Sequence, residues 1–255
     1  NKWRSTDQIP LREVLNGNLG LFGSVDSTLG GNSSRYSAIA NIDLSAETDL
    51  NLYISSYEMQ LYGNPTYFLN DRTNGDQIEQ YDNRNIYGGS LIHSRNLMWG
   101  SRVLAPTLGV EFRFDDIGQV ALFNTRDRHR LNAVRSDTVE ELSVSVYGNA
   151  EIFWTDSFRT KIGLRSEFYN WDVTAQRPQN SGGSSDSILL PKFTAAWIPM
   201  DGLELYGNFG HGFHSNDVRG AEITVDPVTG DPVDPVSTLV RAEGAEIGAR
   251  YEPFD

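Results

Sequence analysis

Cysteine is absent from the chain, and methionine occurs 3 times in 255 residues. Disulfide scaffolds, thiolate zinc sites and cysteine nucleophiles are therefore excluded. No run approaches the roughly 18 apolar residues that a membrane-spanning helix requires. Basic residues are scarce: 21 Lys and Arg face 34 Asp and Glu, a net charge of −13. With a pI near 4.7, a binder of nucleic-acid phosphates, which needs a basic face, is excluded as well. Convincing helical periodicity is also missing. What is present is 24 Gly and 11% aromatic residues, too much of both for a disordered chain. A mean hydropathy of −0.42 reads, taken alone, as an ordinary acidic soluble protein. Its length allows one large domain or two small ones.

The order of the residues contradicts that first impression. From Leu142 to Trp154 the even positions are Leu, Val, Val, Gly, Ala, Ile and Trp, and the odd ones are largely polar. Successive side chains of a strand point to opposite faces, so this is one apolar and one polar face. After the polar turn Thr155–Ser157, Phe158, Thr160, Ile162, Leu164 and Phe168 share one side, with Arg159, Lys161, Arg165 and Glu167 on the other. Each arm of this hairpin exceeds the usual strand of about five or six residues. Alternation recurs from Leu108 to Phe114, with the apolar phase continuing to Val120 and Leu122. It returns around Leu189–Trp197, Leu203–Phe209 and Ala245–Tyr251, and more weakly at Arg35–Ala46, Asp49–Tyr62 and Arg84–Leu97. Nine strands are predicted, with a partial one between Trp3 and Val14.

The connections alternate too. Short turns fall at Ala46–Asp49, Thr155–Ser157 and Pro199–Gly202, with another around Trp99–Ala105. Long polar loops fall at Gly63–Asn83, Arg126–Asp137, Gln176–Ser187 and Ser215–Thr238. Short and long connections thus sit at opposite ends of the sheet. Trp154, Phe158, Trp171, Trp197 and Tyr251 lie at strand ends, as aromatic girdles would. The pattern predicts an all-β fold, an antiparallel transmembrane β-barrel of the outer-membrane type. It also accounts for the low hydropathy, because only every second residue meets lipid. A soluble β-sandwich or β-helix alternates as well, but rarely stacks Arg, Lys and Glu along the middle of long strands.

Certain motifs resemble a known family. The run Glu204-Leu-Tyr-Gly-Asn-Phe-Gly-His-Gly-Phe-His-Ser-Asn-Asp-Val-Arg-Gly220 resembles the ELYxxxGxGFHSNDxRG signature of TonB-dependent outer-membrane receptors. Leu239–Arg250 is similar to that family's strand after the same loop, and Phe158-Arg to Gly163-Leu-Arg165 to its "fR…GLR" strand. Pro65–Asp71, Gly75–Gln80 and Arg84–Gly89 resemble a loop and returning strand of these receptors. The resemblance runs from near Trp3 to the C-terminus. It implies residence in the Gram-negative outer membrane and active import of a scarce small-molecule ligand such as a ferric siderophore. It further implies a barrel of about 22 strands filled by an N-terminal plug domain, an energy-transducing TonB complex acting on that plug, and contact with outer-membrane lipid and lipopolysaccharide. Residues 1–255 are then expected to be an incomplete portion of about nine or ten strands, without the plug, the TonB box or the closing strand. A turn is expected at Glu252–Asp255. A passive porin-like or adhesin barrel is the alternative, and an outer-membrane hydrolase a remote one.

The candidate sites follow from that frame. Inward-facing charges are Glu111, Arg113, Glu151, Arg159, Lys161, Arg165, Glu167, Lys192, Glu204, Glu246 and Arg250, which would pair with each other and with the plug. Ligand contact is assigned to aromatic and polar residues near the long loops: Tyr62, Tyr67, Phe68, Tyr169, Trp171, Phe213, His214 and Asn216. Arg126, Arg128 and Arg130, with Arg135 beyond, form a basic loop suited to an anionic ligand or to lipopolysaccharide phosphates. His211, on the lipid-facing phase, does not make a specified nucleophile–base pair with Ser215, so no catalytic residue is assigned. Asp226, Asp231 and Asp234, and Asp71, Asp76 and Asp82, are calcium-type ligands without calcium-loop spacing. No cofactor or metal is expected. Gly88-Gly89 and Gly182-Gly183 read as a bulge and a turn.

Overall fold

Long alternating segments form long strands, and here they form one sheet. The computed structural model describes residues 1–5 and 8–252. Its strands are β1 (Lys2–Arg4), β2 (Gly30–Ser45), β3 (Thr48–Gly63), β4 (Ile78–Ser94), β5 (Leu97–Trp99) and β6 (Arg102–Arg126). They continue with β7 (His129–Thr155), β8 (Phe158–Ala175), β9 (Gly182–Met200), β10 (Leu203–Ser215) and β11 (Leu239–Tyr251). Two short helices, α1 (Leu11–Leu15) and α2 (Val218–Ala221), interrupt the pattern. The strands form an 11-stranded antiparallel sheet in chain order, with β5 paired to β6 off the main path. Among the described residues no pairing joins β1 to β11. The expected partial strand becomes β1 and α1. Thr6 and Asp7 between them lie outside the described residues, as do the last three residues of the expected C-terminal turn.

The sheet curls. One cavity of 680 Å³ is lined by residues from β3 through β10, from Asn51 and Tyr53 to Gly212 and Phe213, so distant strands face each other across it. Side chains on the opposite, outer face are apolar and open: Val146 and Ile162 are each 56% exposed and Phe209 48%. A continuous apolar face of this kind is not sustained in water. On the inner face, tyrosines lie flat over glycines directly opposite. Tyr147 covers Gly109 and Tyr53 covers Gly88, where an added Cβ would come within 2.2 Å of the ring. Gly88-Gly89 is therefore no bulge; its pairing with β3 is regular.

A bulge does occur at Gly118, where β6 gains one residue against both neighbours. The extra residue reverses the code of the strand. Below it, Glu111, Arg113, Asp115 and Ile117 face inward; above it, Val120 and Leu122 do. The apolar outer phase expected to run on to Val120 and Leu122 stops at Phe114, and Val120 joins an inner cluster. The Arg126–Asp137 loop is also absent. β6 and β7 pair to Arg126 opposite His129, joined by Asp127 and Arg128 at φ 51 and 66. Positive φ at both positions is the two-residue hairpin geometry that glycine or asparagine would normally supply. The loops at residues 64–77, 176–181 and 216–238 gather at the same end, and the short turns lie at the other.

Candidate functional site

The long-loop end brings strands and loops together around one site. There β10 pairs with β9 only up to Gly210 opposite Lys192, while its pairing with β11 continues to Ser215. The next residue of β9 is Pro191, which has no N–H to offer a ladder. Freed from β9, the outer part of β10 carries its loop over the inner face. Asp217 caps α2 by accepting from the Arg219 N–H at 2.9 Å. Val218 then packs on Ile117, Val139, Trp171 and Val173 of β6, β7 and β8. Trp171 Nε1 donates to Glu222 at 2.7 Å, and Asn180 holds the loop through Thr224 and Val225. An arginine–carboxylate lattice rims this cluster. Arg135 binds Asp137, which is 2% exposed, and Arg219 binds Asp217 at 2.6 Å and approaches Asp137 at 3.9 Å. Burial works to raise the Asp217 pKa, but the Arg219 hydrogen bonds and charge hold it below the usual carboxylate range.

Above α2 lies a second cavity of 540 Å³, lined by Asn124, Asn132, Arg135, Gln176, Arg177 and loop residues Pro227 and Val228 among others. Below it lies the 680 Å³ cavity, charged by Glu111, Arg113, Arg165, Glu167 and Lys192, with Tyr53, Tyr169 and Phe213. Of the charges expected to face inward, Glu111, Arg113, Arg165, Glu167 and Lys192 border this cavity. Arg165 binds Glu111 at 2.7 Å and also Glu167, and Arg159 binds Glu151 at 3.2 Å and Glu204 at 2.8 Å. Arg113 donates to Asp115, Tyr206 donates to Glu246 at 2.9 Å, and Arg250 donates to Glu252 at 2.7 Å. Except for Glu246, held by a tyrosine hydroxyl, these carboxylates meet arginines of the same wall.

A membrane-type sheet with two opposed faces and an inward-folded loop invites comparison with known proteins. Residues 3–255 match the family model described as "TonB dependent receptor-like, beta-barrel". The chain belongs to this family. No curated protein matches its sequence. Among solved structures, the ferric citrate transporter FecA in its unliganded form is similar at a TM-score of 0.66 and 14% identity, over 88% of this chain and 33% of that one. The copper transporter OprC is similar at 0.62 and 12%, over 89% and 39%. The closed form of the ferric-catecholate import receptor Fiu from E. coli K12 is similar at 0.62 and 12%, over 98% and 43%. At such identities the likeness is one of fold, and the chain spans well under half of each of these receptors.

Within this TonB-dependent receptor barrel, the residues assigned to ligand contact do not converge. Tyr169 and Phe213 meet edge to face at 6.1 Å over the lower cavity. Trp171 is 5% exposed beneath α2, so it is neither a girdle residue nor open to the mouth. Tyr62 lies on the outer face under Arg128, whose guanidinium sits 5.0 Å above its ring. Tyr67 donates to the Gln8 carbonyl at 2.9 Å, and Phe68 is exposed. Asn216 donates to the Ser237 carbonyl at 2.7 Å, and His214 pairs with Val240 of β11. The basic loop divides as well. Arg130 faces outward, binding Glu79 at 2.7 Å, whereas Arg135 faces inward.

His211 stacks edge to face with the outward Phe209 at 5.4 Å and also borders the lower cavity, at the height where β10 has left β9. Arg241 approaches its Nδ1 at 3.0 Å and Glu243 its Nε2 at 3.1 Å. Arginine can only donate, so Nδ1 accepts from Arg241. The acidic loop residues cap turns. Asp71 accepts from the Thr73 and Asn74 N–H groups, and Asp226 from those of Val228 and Thr229. These bonds hold both carboxyls below the usual range. Sequence reasoning missed Asp26, Gln77, Asp137, Arg177 and Asn180, which knit the loops together; none carries a local pattern that marks it.

Proposed function

We propose that residues 1–255 form part of the wall of a Gram-negative outer-membrane receptor. That receptor imports a scarce nutrient such as a ferric siderophore in a TonB-energised cycle. The observation that carries this reading is the loop after β10. It folds across the inner face and divides the space into an outer vestibule and a charged inner cavity, an arrangement suited to holding a ligand on the outer side before passage. Ligand would enter the vestibule beside Arg135 and Arg177. A plug domain of the same receptor would fill the inner cavity, and the TonB complex would act through that plug. The apolar outer band would meet outer-membrane lipid, with lipopolysaccharide above it. Nothing in the arrangement around His211 pairs a hydroxyl nucleophile with a base, and no covalent chemistry is proposed.

The test uses the full-length receptor in iron-starved cells supplied with radiolabelled ferric chelates. Uptake that requires the receptor and stops on adding a protonophore is expected. Receptor-dependent uptake that persists with the protonophore would instead identify a passive pore.

A further inference from the structure

The loop after β10 comes down on charged groups as well as on an apolar cluster. Four arginines at this level each bind a carboxylate. Arg84 holds Asp82, Arg113 holds Asp115 at 2.5 Å, Arg135 holds Asp137, and Arg219 holds Asp217 at 2.6 Å. Glu141 of β7 is a fifth acid, and no arginine matches it. Among the described residues it has no ion pair and no hydrogen bond. Directly opposite on β6 stands Asp115, which is 6% exposed. Like charges facing each other across a strand pair are destabilising. On its other side stands Trp171 of β8, part of the cluster that Val218 covers. Asp217 of the loop adds a further negative charge, while Arg113 and Arg84 act on Glu141 only from beyond bonding distance. Tyr169 of β8 is another titratable neighbour. Burial, then the charge of Asp115, pushes the Glu141 carboxyl above its usual range, against the pull of Arg113. On the outer face at this height Asp116, Glu140 and Asp172 stand in one row, so the group lies above the lipid.

We propose that Glu141 is a proton-operated latch for the loop after β10. With its proton Glu141 is a neutral neighbour that can donate to a carboxylate, and Asp217 and Val218 settle on the inner face. Without it, Glu141 confronts Asp115 and Asp217 as a third anion, and the hold of the loop on the wall weakens. The latch acts on the passage between the outer vestibule and the inner cavity, whatever cargo the receptor carries. Because the folded pKa lies above the unfolded one, the stabilisation is complete below a pH of about 4 and is lost as pH rises through the folded value. Coupling is reciprocal, so lifting the loop weakens the grip of Glu141 on its proton and releases it.

The experiment uses full-length receptor purified from outer membranes. Hydrogen exchange is followed between about pH 5 and pH 8, a span that lies above the ordinary range of a glutamate. Rates are converted to protection factors, which remove the intrinsic pH dependence of exchange. Protection of residues 217–222 is expected to fall with rising pH, by about tenfold for each unit by which docking of the loop raises the Glu141 pKa. Protection within β7 and β8 should stay constant. Glu141→Gln, uncharged at every pH, should keep the low-pH protection throughout, and Glu141→Met serves the same purpose if the glutamine variant fails to assemble. The latch is overturned if wild-type protection of 217–222 does not change over this span. It is equally overturned if the fall persists in the uncharged variant, or if the wall strands lose protection in parallel with the loop.

Discussion

The wall and the mouth of this sheet obey opposite rules although the same strands build both. In the wall, apolar side chains such as Ile162, Leu164 and Phe193 point outward and charges point inward. At the mouth, Ile117, Val139, Trp171 and Val173 point inward beneath α2, and the buried Glu79 carboxylate, paired with the exposed Arg130, points outward. The difference shows where water and lipid trade places. The wall's inner face is solvated and its outer face is not, while the mouth protrudes far enough for its outer face to be wet and its inner face to be covered by its own loop. A single strand such as β8 therefore carries two hydrophobic codes, one above the other.

Each half of this contrast can be broken separately. The largest effect is expected from Trp171→Ala, which removes the centre of the mouth cluster and the bond to Glu222; a loss of about 3–5 kcal/mol follows from emptying such a site. Limited proteolysis of the intact receptor should then cut within residues 216–238, leaving the wall strands protected. Leu164→Arg places a charge on the outer face of the wall and should cost about 2–4 kcal/mol near the membrane midplane. Heat-modifiable mobility on gels reports the loss of assembled barrel, and Lys161→Arg on the inner face should assemble normally; equal defects would refute the assignment of faces. Gly109→Ala drives a methyl into the Tyr147 ring, an overpacking of about 1–3 kcal/mol, readable as a lower urea midpoint with the mouth unaffected. The smallest effect concerns Asp26. Burial would raise its pKa, but Thr28, Asn64 and Gln77 hydrogen bonds hold it low. Because the folded value lies below the unfolded one, its contribution is complete above a pH of about 4 and fades as pH falls further. Hydrogen exchange of residues 26–29 should quicken below that pH before the wall strands respond.

Much of the wall was legible in the sequence because a period of two is a local signal. The hairpin of Leu142 to Phe168, its short turn and its charged inner row need no knowledge of distant residues. The mouth was not legible for the same reason. Trp171 reads as a girdle aromatic until α2 arrives from 47 positions later in the chain to cover it. The expected loop at Arg126–Asp137 looked polar and irregular, yet two bulges and a tight turn keep it in the sheet, with Arg130 and Arg135 on opposite faces. The end of the β9–β10 ladder beside Pro191 is a fact of pairing that no single strand declares.

The extra residue at Gly118 has a consequence for how this strand can change over time. Substitutions along β6 alter one side chain each, but a deletion at 118 would act as a frameshift does in a gene. Val120, Leu122 and Asn124 would turn outward together, and Ala121, Phe123 and Thr125 would turn in. The upper third of the strand is thus read from a punctuation mark of one glycine, and insertions or deletions there should be tolerated only in pairs.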